Sequence, residues 1–400
     1  MTTPPLAPVV YGPAGARVTI TTTQRPVAAA LRRMFHMWWN PLDPEERTAP
    51  AAHLTVVVDR TQAAHLARAV TADPAAREHS DGRRILRHTT TADGVIAVES
   101  GSGTVYEVRG TDVTVTARTA TAAATAAVRM TGDLVRARME AAGFRLLRAS
   151  SVTWGDAAAV IVGPRRRGTT TATLYLGAYS VALGVQSPEL VLARPEPDGT
   201  VTTRPWPTPV TVSLGLLTIT GWHELVRHHL AEGQDLHPAS DPRAAGILRG
   251  TGPAPQPGTR DADLTVSLWP DVLRYWLSIQ HTHHGTAAAL IFPGHSPGGL
   301  PAMAGTRRTV NVTDLLPPGP PPGDPLGVTG PHAADQEDTG RLLAALNRLT
   351  RQSLTLTRHP QTDADLLAGY VQRLPQPSRP AAPVPAGRAG EPLLSKGHVQ

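Results

Sequence analysis

The residues that offer the most specific chemistry are Gly163-Pro164-Arg165-Arg166-Arg167-Gly168-Thr169-Thr170. Two glycines separated by four residues and followed by hydroxyl side chains keep the frame of G-x-x-x-x-G-K-[ST], a loop that cradles phosphate. Such a loop works because successive backbone N–H groups face one concavity and the next helix turns the positive end of its dipole toward the anion. The context suits that use. Ala157–Val162 is a continuous apolar run that reads as a strand, and Thr169–Ala178 reads as the helix after it. Thr169 stands where the lysine belongs. Threonine has no charge and a shorter reach, so positive charge would have to come from Arg165, Arg166 or Arg167, whose guanidinium groups pair well with phosphate. The expected phosphate-binding set is Gly163, Arg165, Arg166, Arg167, Gly168, Thr169, Thr170 and Thr171, with no catalytic residue assigned.

Other groupings carry weaker chemistry. Gly294-His295-Ser296-Pro297-Gly298 follows an apolar run and has the G-x-S-x-G spacing of a hydrolase nucleophile. The residue after that serine must donate its N–H to an oxyanion, and Pro297 has none. His281, His283 and His284 offer imidazole nitrogens, but neighbouring histidines diverge and no carboxylate is close in sequence, so a polar loop is expected rather than a metal site. His223, His228 and His229 share a helical segment on which His228 and His229 face different directions. Trp38 and Trp39, beside Met34 and Phe35, read as packing rather than a stacking platform.

These groups are positioned by alternating strands and helices. Arg17–Thr22 and His53–Asp59 read as strands, Pro26–Trp39 and Gln62–Ala72 as helices, and Gly94–Glu99, Gly103–Arg109 and Asp112–Ala117 as short strands joined by tight turns. Ala122–Ala142 is an alanine-rich helix ended by Gly143. Phe144–Trp154 and Ala157–Val162 form a hairpin that feeds the glycine loop. Further strands are expected at Glu189–Ala193, Thr200–Thr203, Thr208–Leu214, Leu264–Leu268, Thr286–Phe292 and Ser353–Thr357. Helices are expected at Trp222–Ala231, Pro270–Gln280, Gly340–Thr350 and Asp363–Arg373. Pro317–Pro325 is a linker or long loop, and Pro375–Gln400 is expected to be disordered. The expected fold class is α/β. An N-terminal α+β domain covers residues 1–120, a P-loop domain 121–374 and a Pro/Ala-rich tail 375–400.

From about Ala122 to Arg373 the chain resembles the HPr serine kinase-like P-loop proteins, the HPr kinase/phosphorylase-related ATP-binding family. The likeness is carried by Leu146–Val152 (LLRASSV), by VIVGPRRRGTTT at the loop, by Ser187–Gly199 (SPELVLARPEPDG), by Trp206–Val210 and by Gly221–Asp241. It implies an HPr kinase/PEP carboxykinase-like core, ATP and Mg²⁺ as cofactors, and Thr170 with Glu189 as the Mg²⁺ ligands. Three positions depart from the family pattern: Thr169 replaces the loop lysine, Arg148 replaces a histidine, and Pro188-Glu189 stands where Asn-Asp would be. Phosphoryl transfer rests almost entirely on charge placement and Mg²⁺. The resemblance therefore implies a pseudokinase that binds nucleotide or phosphate weakly, or binds only a protein partner. The alternatives are an active serine or small-molecule kinase using an arginine for the lysine, and a structural or interaction protein without a ligand.

Composition sets the outer limits. The 400 residues include no cysteine, which excludes disulfides, iron–sulfur clusters and cysteine zinc sites. The net charge of +6 is almost entirely arginine scattered among acids, and Arg165–Arg167 lack interleaved aromatic side chains, so nucleic acid is not an expected partner. Met1–Pro8 has no basic region followed by an apolar core, and no window approaches the ~18–20 apolar residues of a membrane helix. A soluble cytoplasmic protein is expected.

Overall fold

The structure, a computed structural model, describes residues 6–13, 15–39, 52–80, 84–163, 168–180, 182–250, 254–256, 258–296, 299–321, 323–328, 336–357 and 359–377. Arg165, Arg166 and Arg167 lie outside the described residues, as do Pro297, Gly298 and the tail from residue 378.

The first section alternates β1 (Val9–Tyr11), β2 (Val18–Thr22), α1 (Arg25–Phe35), β3 (Ala52–Val58) and α2 (Arg60–Ala72). A run of short strands follows: β4 (Arg77–Ser80), β5 (Ile85–Thr91), β6 (Gly94–Glu99), β7 (Val105–Arg109) and β8 (Asp112–Ala117), then the long helix α3 (Ala120–Ala141). The strands form one eight-stranded sheet in the order β1-β2-β3-β8-β7-β6-β5-β4. Only β2–β3 and β3–β8 are parallel. Local chemistry explains the helix starts. Asp59 accepts the N–H of Gln62 at 2.8 Å, and Thr119 caps α3 through the N–H of Ala122. Ala123, Ala126 and Ala127 give α3 a face of small buried residues that packs against α1 and the strands β2, β3 and β8. The strands β1, β4 and β5 were not legible in the sequence.

The aromatic patch is indeed packing. α1 stops at Phe35, and the expected helical extension to Trp39 becomes turns. Trp39 stacks on Phe35 with ring centroids 4.8 Å apart and meets Trp206 edge-on at 5.3 Å, joining the two halves of the chain.

The second section begins with β9 (Arg145–Leu147), β10 (Ala149–Trp154), β11 (Ala157–Val162), α4 (Thr169–Tyr179), β12 (Gly184–Ser187), β13 (Val191–Pro195), β14 (Val201–Pro205) and β15 (Val210–Ser213). It continues through α5 (Leu214–Ile219), α6 (Trp222–Ala231), α7 (Pro242–Arg249), β16 (Thr265–Leu268) and α8 (Pro270–Tyr275). It ends with β17 (Gly285–His295), β18 (Ala302–Gly305), α9 (Gln336–Arg348), β19 (Thr350–Leu356) and α10 (Pro360–Val371). β17 is the spine of a nine-stranded mixed sheet. It pairs in parallel with β11 from Thr286 to Ile291, antiparallel with β14 near Gly285, and in parallel with β19 from Ala289 to His295. β15 and β16 make a separate antiparallel pair. The chain is thus a mixed α/β protein with ten α-helices among the described residues. No helix among them is long and apolar enough to cross a membrane.

Several expected elements are corrected. The single strand Phe144–Trp154 breaks at Arg148, whose N–H donates to the carbonyl of Asp314 at 2.8 Å. As a result β9 pairs with β13, whereas β10 pairs with β11 and β12. Leu214 ends no strand but begins α5, because the Ser213 hydroxyl caps it through the N–H of Leu216. The helix from Pro270 stops at Tyr275 rather than Gln280. Gln376, placed in the tail by sequence, clamps the β10–β11 turn by donating to the Trp154 carbonyl and accepting from the Asp156 N–H.

Candidate phosphate-binding site

Every residue of β11 is buried, as an apolar run flanked on both sides by strands must be. It delivers the chain to Gly163 at the carboxyl edge of the sheet. β11, β17 and β19 run parallel, and the registers Ile161↔Ile291 and His295↔Leu356 bring their carboxyl ends to one side. The crevice outside such strand ends is where open α/β sheets hold ligands. Two antiparallel neighbours add residues to this edge. Ala149 pairs with Val162, so Arg148 begins there, and Ser151 pairs with Ser187, so Pro188 and Glu189 emerge there. The Ser150 hydroxyl donates to the Pro188 carbonyl at 2.5 Å and holds that corner in place.

Gly168 closes the loop and caps α4 with left-handed backbone, φ +93° and ψ 10°. A side chain there would be strained twice over, since a Cβ would lie 2.6 Å from Cδ1 of Leu356 and 2.8 Å from Nε2 of His295. No side chain caps α4 among the described residues, and an intrahelical bond runs from the Ala172 N–H to the Gly168 carbonyl at 2.8 Å. The N–H groups of Thr169, Thr170 and Thr171 therefore form the open positive end of a helix dipole. Apolar packing fixes the rest of α4: Ala172, Leu174, Tyr175 and Leu176 are buried, and the helix lies against α10 and β10.

Glu189 and Thr170 share this edge of the sheet, and one carboxylate oxygen of Glu189 accepts the Thr211 N–H at 3.0 Å. No group of three or more His, Asp or Glu side chains that could hold a metal ion occurs among the described residues. A Mg²⁺ ion needs no such cage, because it takes one or two carboxylates and fills its shell with substrate phosphates and water. Arg148 lines a cavity of about 590 Å³ with Arg145, Thr313, Leu316, Pro317 and Thr339. No described residue of the loop lines it.

Two contributors escaped the sequence reading. His295, noticed only within the G-x-S-x-G spacing, is an imidazole beside Gly168. Asp363, in the first turn of α10, is buried and accepts the N–H and hydroxyl of Thr357 at 2.9 and 3.0 Å, tying the end of β19 to α10. Burial pushes the Tyr175 phenol up to about 12, and the negative charge of Asp363 adds to the effect. An acid in the first turn of a proline-started helix was the available clue to Asp363.

The two histidine groups singled out in the sequence contact protein side chains and carbonyls. His281 is half-buried, shares a contact with the Ile279 carbonyl and packs on Trp38; desolvation pushes it down to about 4. His283 meets the Trp38 carbonyl, and His284 lies 3.5 Å from Asp156. His223 pairs with Glu224, while His228 and His229 both approach Glu232. Ser296 donates its N–H to the Leu356 carbonyl and continues the sheet pairing.

The chain matches no protein-family model, and no curated protein matches it.

Proposed function

We propose that this protein is a degenerate P-loop protein of the HPr kinase-like type, which holds a phosphate or nucleotide phosphate at Gly163–Thr171 without efficient phosphoryl transfer. One observation carries the reading: a buried strand leads through a glycine loop to the uncapped end of α4, at the edge where three parallel strands terminate. Backbone N–H groups at that end suit an anion irrespective of the missing lysine. The same substitution argues against turnover. Thr169 offers a hydroxyl but no charge to a transferring phosphoryl group, and charge is what that reaction requires. ATP with Mg²⁺ is the ligand in this reading, with Thr170 and Glu189 holding the metal and Arg165, Arg166 and Arg167 supplying loop charge. A protein partner would then read the bound state.

The test is thermal unfolding with and without millimolar ATP–Mg²⁺, for the wild type and for Thr169→Asp. A carboxylate at the start of α4 favours the helix dipole yet repels phosphate, so this variant keeps its fold. Ligand at ~100 times its dissociation constant adds about 2.7 kcal/mol, a shift of several degrees. The expected result is a shift in the wild type that disappears in the variant. An unmoved wild type overturns the reading.

A further inference from the structure

A second concavity lies far along the chain from the glycine loop, between α1 and α8. It measures about 470 Å³, within the range of small-molecule sites. One face of α1 supplies Arg25, Ala28, Ala29, Arg32 and Arg33, and His36 follows at its C-cap. α8 supplies Asp271, and Tyr275 stands at its end with 59% of its surface exposed.

The charges here do not balance. Arg33 is committed: its Nε lies 3.3 Å from Asp271, its Nη2 donates to the Asp235 carbonyl, and its guanidinium sits over Trp269. Asp271 is the only acid in the lining among the described residues, and Arg33 takes it. Arg25 and Arg32 have no acidic partner among the described residues, and both are exposed. They are seven residues apart, about 10.5 Å along the helix axis, within the joint span of two long side chains. Between them lie Ala28 and Ala29, and Met37 adds a further apolar side chain to the lining. The positive field is felt locally: burial first, then Arg32 and Arg274, hold the His36 imidazole below its usual pKa.

We propose that this cleft binds a small organic phosphate monoester, its dianionic end held by Arg25 and Arg32 and its apolar body seated on the alanine floor against Tyr275. Two uncompensated guanidinium groups match a dianion, and arginine is the side chain best suited to phosphate geometry. The floor rewards an apolar body that inorganic phosphate lacks.

Calorimetric titration of the full chain with phenyl phosphate, inorganic phosphate and phenol tests this. Phenyl phosphate should bind most tightly, inorganic phosphate more weakly and phenol not at all. Arg25→Gln with Arg32→Gln should weaken phenyl phosphate at least about tenfold, the loss expected for charge-assisted bonds. Both positions are exposed, so an unchanged melting temperature confirms that the double variant is folded. Thr169→Asp, whose glycine loop repels phosphate, should keep the phenyl phosphate binding that depends on Arg25 and Arg32. No heat from phenyl phosphate at millimolar concentration, or equal affinity in the double variant, overturns the proposal. Loss of binding in Thr169→Asp would move the site to the glycine loop and overturn it equally. Equal affinity for inorganic phosphate would overturn the role of the apolar floor.

Discussion

Gly168 and His295 meet so closely that a Cβ on the glycine would lie 2.8 Å from the histidine Nε2. One residue closes a loop after β11 and the other ends β17, so their approach registers the loop against the sheet. Gly168→Ala should destabilise the protein by about 1–3 kcal/mol, from left-handed strain together with the clash. Combining it with His295→Ala should recover part of that loss, because the imidazole is one of the two obstructions; Leu356 is the other. Denaturant unfolding of the single and double variants measures the coupling.

Asp363 should be the most sensitive carboxylate near the site. Asp363→Ala leaves the buried N–H and hydroxyl of Thr357 without their acceptor, at a cost of about 2–4 kcal/mol. Thr357→Val removes the hydroxyl alone and should cost clearly less. Urea midpoints of the two variants decide the order.

Glu140 anchors the proline-rich segment. One carboxylate oxygen accepts Arg136 Nε at 2.7 Å and the other accepts the Gly319 N–H at 2.7 Å, with Glu140 itself buried on α3. Glu140→Ala should release Pro317–Pro325 from α3 and open it to proteases. Limited proteolysis followed by mass spectrometry should then find a cut near that segment, absent from the wild type.

Acid should weaken the fold through two half-buried imidazoles. His281 and His237 are each pushed down to about 4 from 6.5, chiefly by burial. Below pH 6.5 the unfolded chain binds protons that the folded chain refuses, so this stability is present above 6.5 and is lost as pH falls toward 4. The loss is on the order of 3 kcal/mol for His281 and less for His237, whose greater exposure lets water screen the charge. His281→Phe keeps a ring against Trp38 and should flatten the pH dependence of stability in that window relative to the wild type. An unchanged slope in chemical denaturation at several pH values would refute the assignment.

The elements easiest to read were those whose information is local. Ala157–Val162 is apolar throughout because both its neighbours are strands, and Thr169 opens a helix directly after Gly168, so strand, loop and helix were legible together. β12 was not. Its sequence GVQS looks like a turn, yet all four residues are buried and the Gln186 amide N–H donates to the carbonyl of Thr203, seventeen residues away. β5 hid for a similar reason, since His88 takes an inward position that an apolar residue would have signalled. The break at Arg148 depends on the carbonyl of Asp314, which no local pattern announces.

By itself the sequence determined the alternation of strands and helices, the absence of cysteine chemistry, and a glycine loop between a buried strand and a helix. Those properties follow from apolar periodicity and backbone freedom, which act over a few residues. Only the tertiary structure decided that β17 and β19 run parallel to β11, bringing His295 and Leu356 against Gly168. It alone set α1 beside α8, where Arg25 and Arg32 border one cleft. Such juxtapositions arise from sheet register and core packing, which sum contacts between residues far apart in the chain, and no short window of sequence contains them.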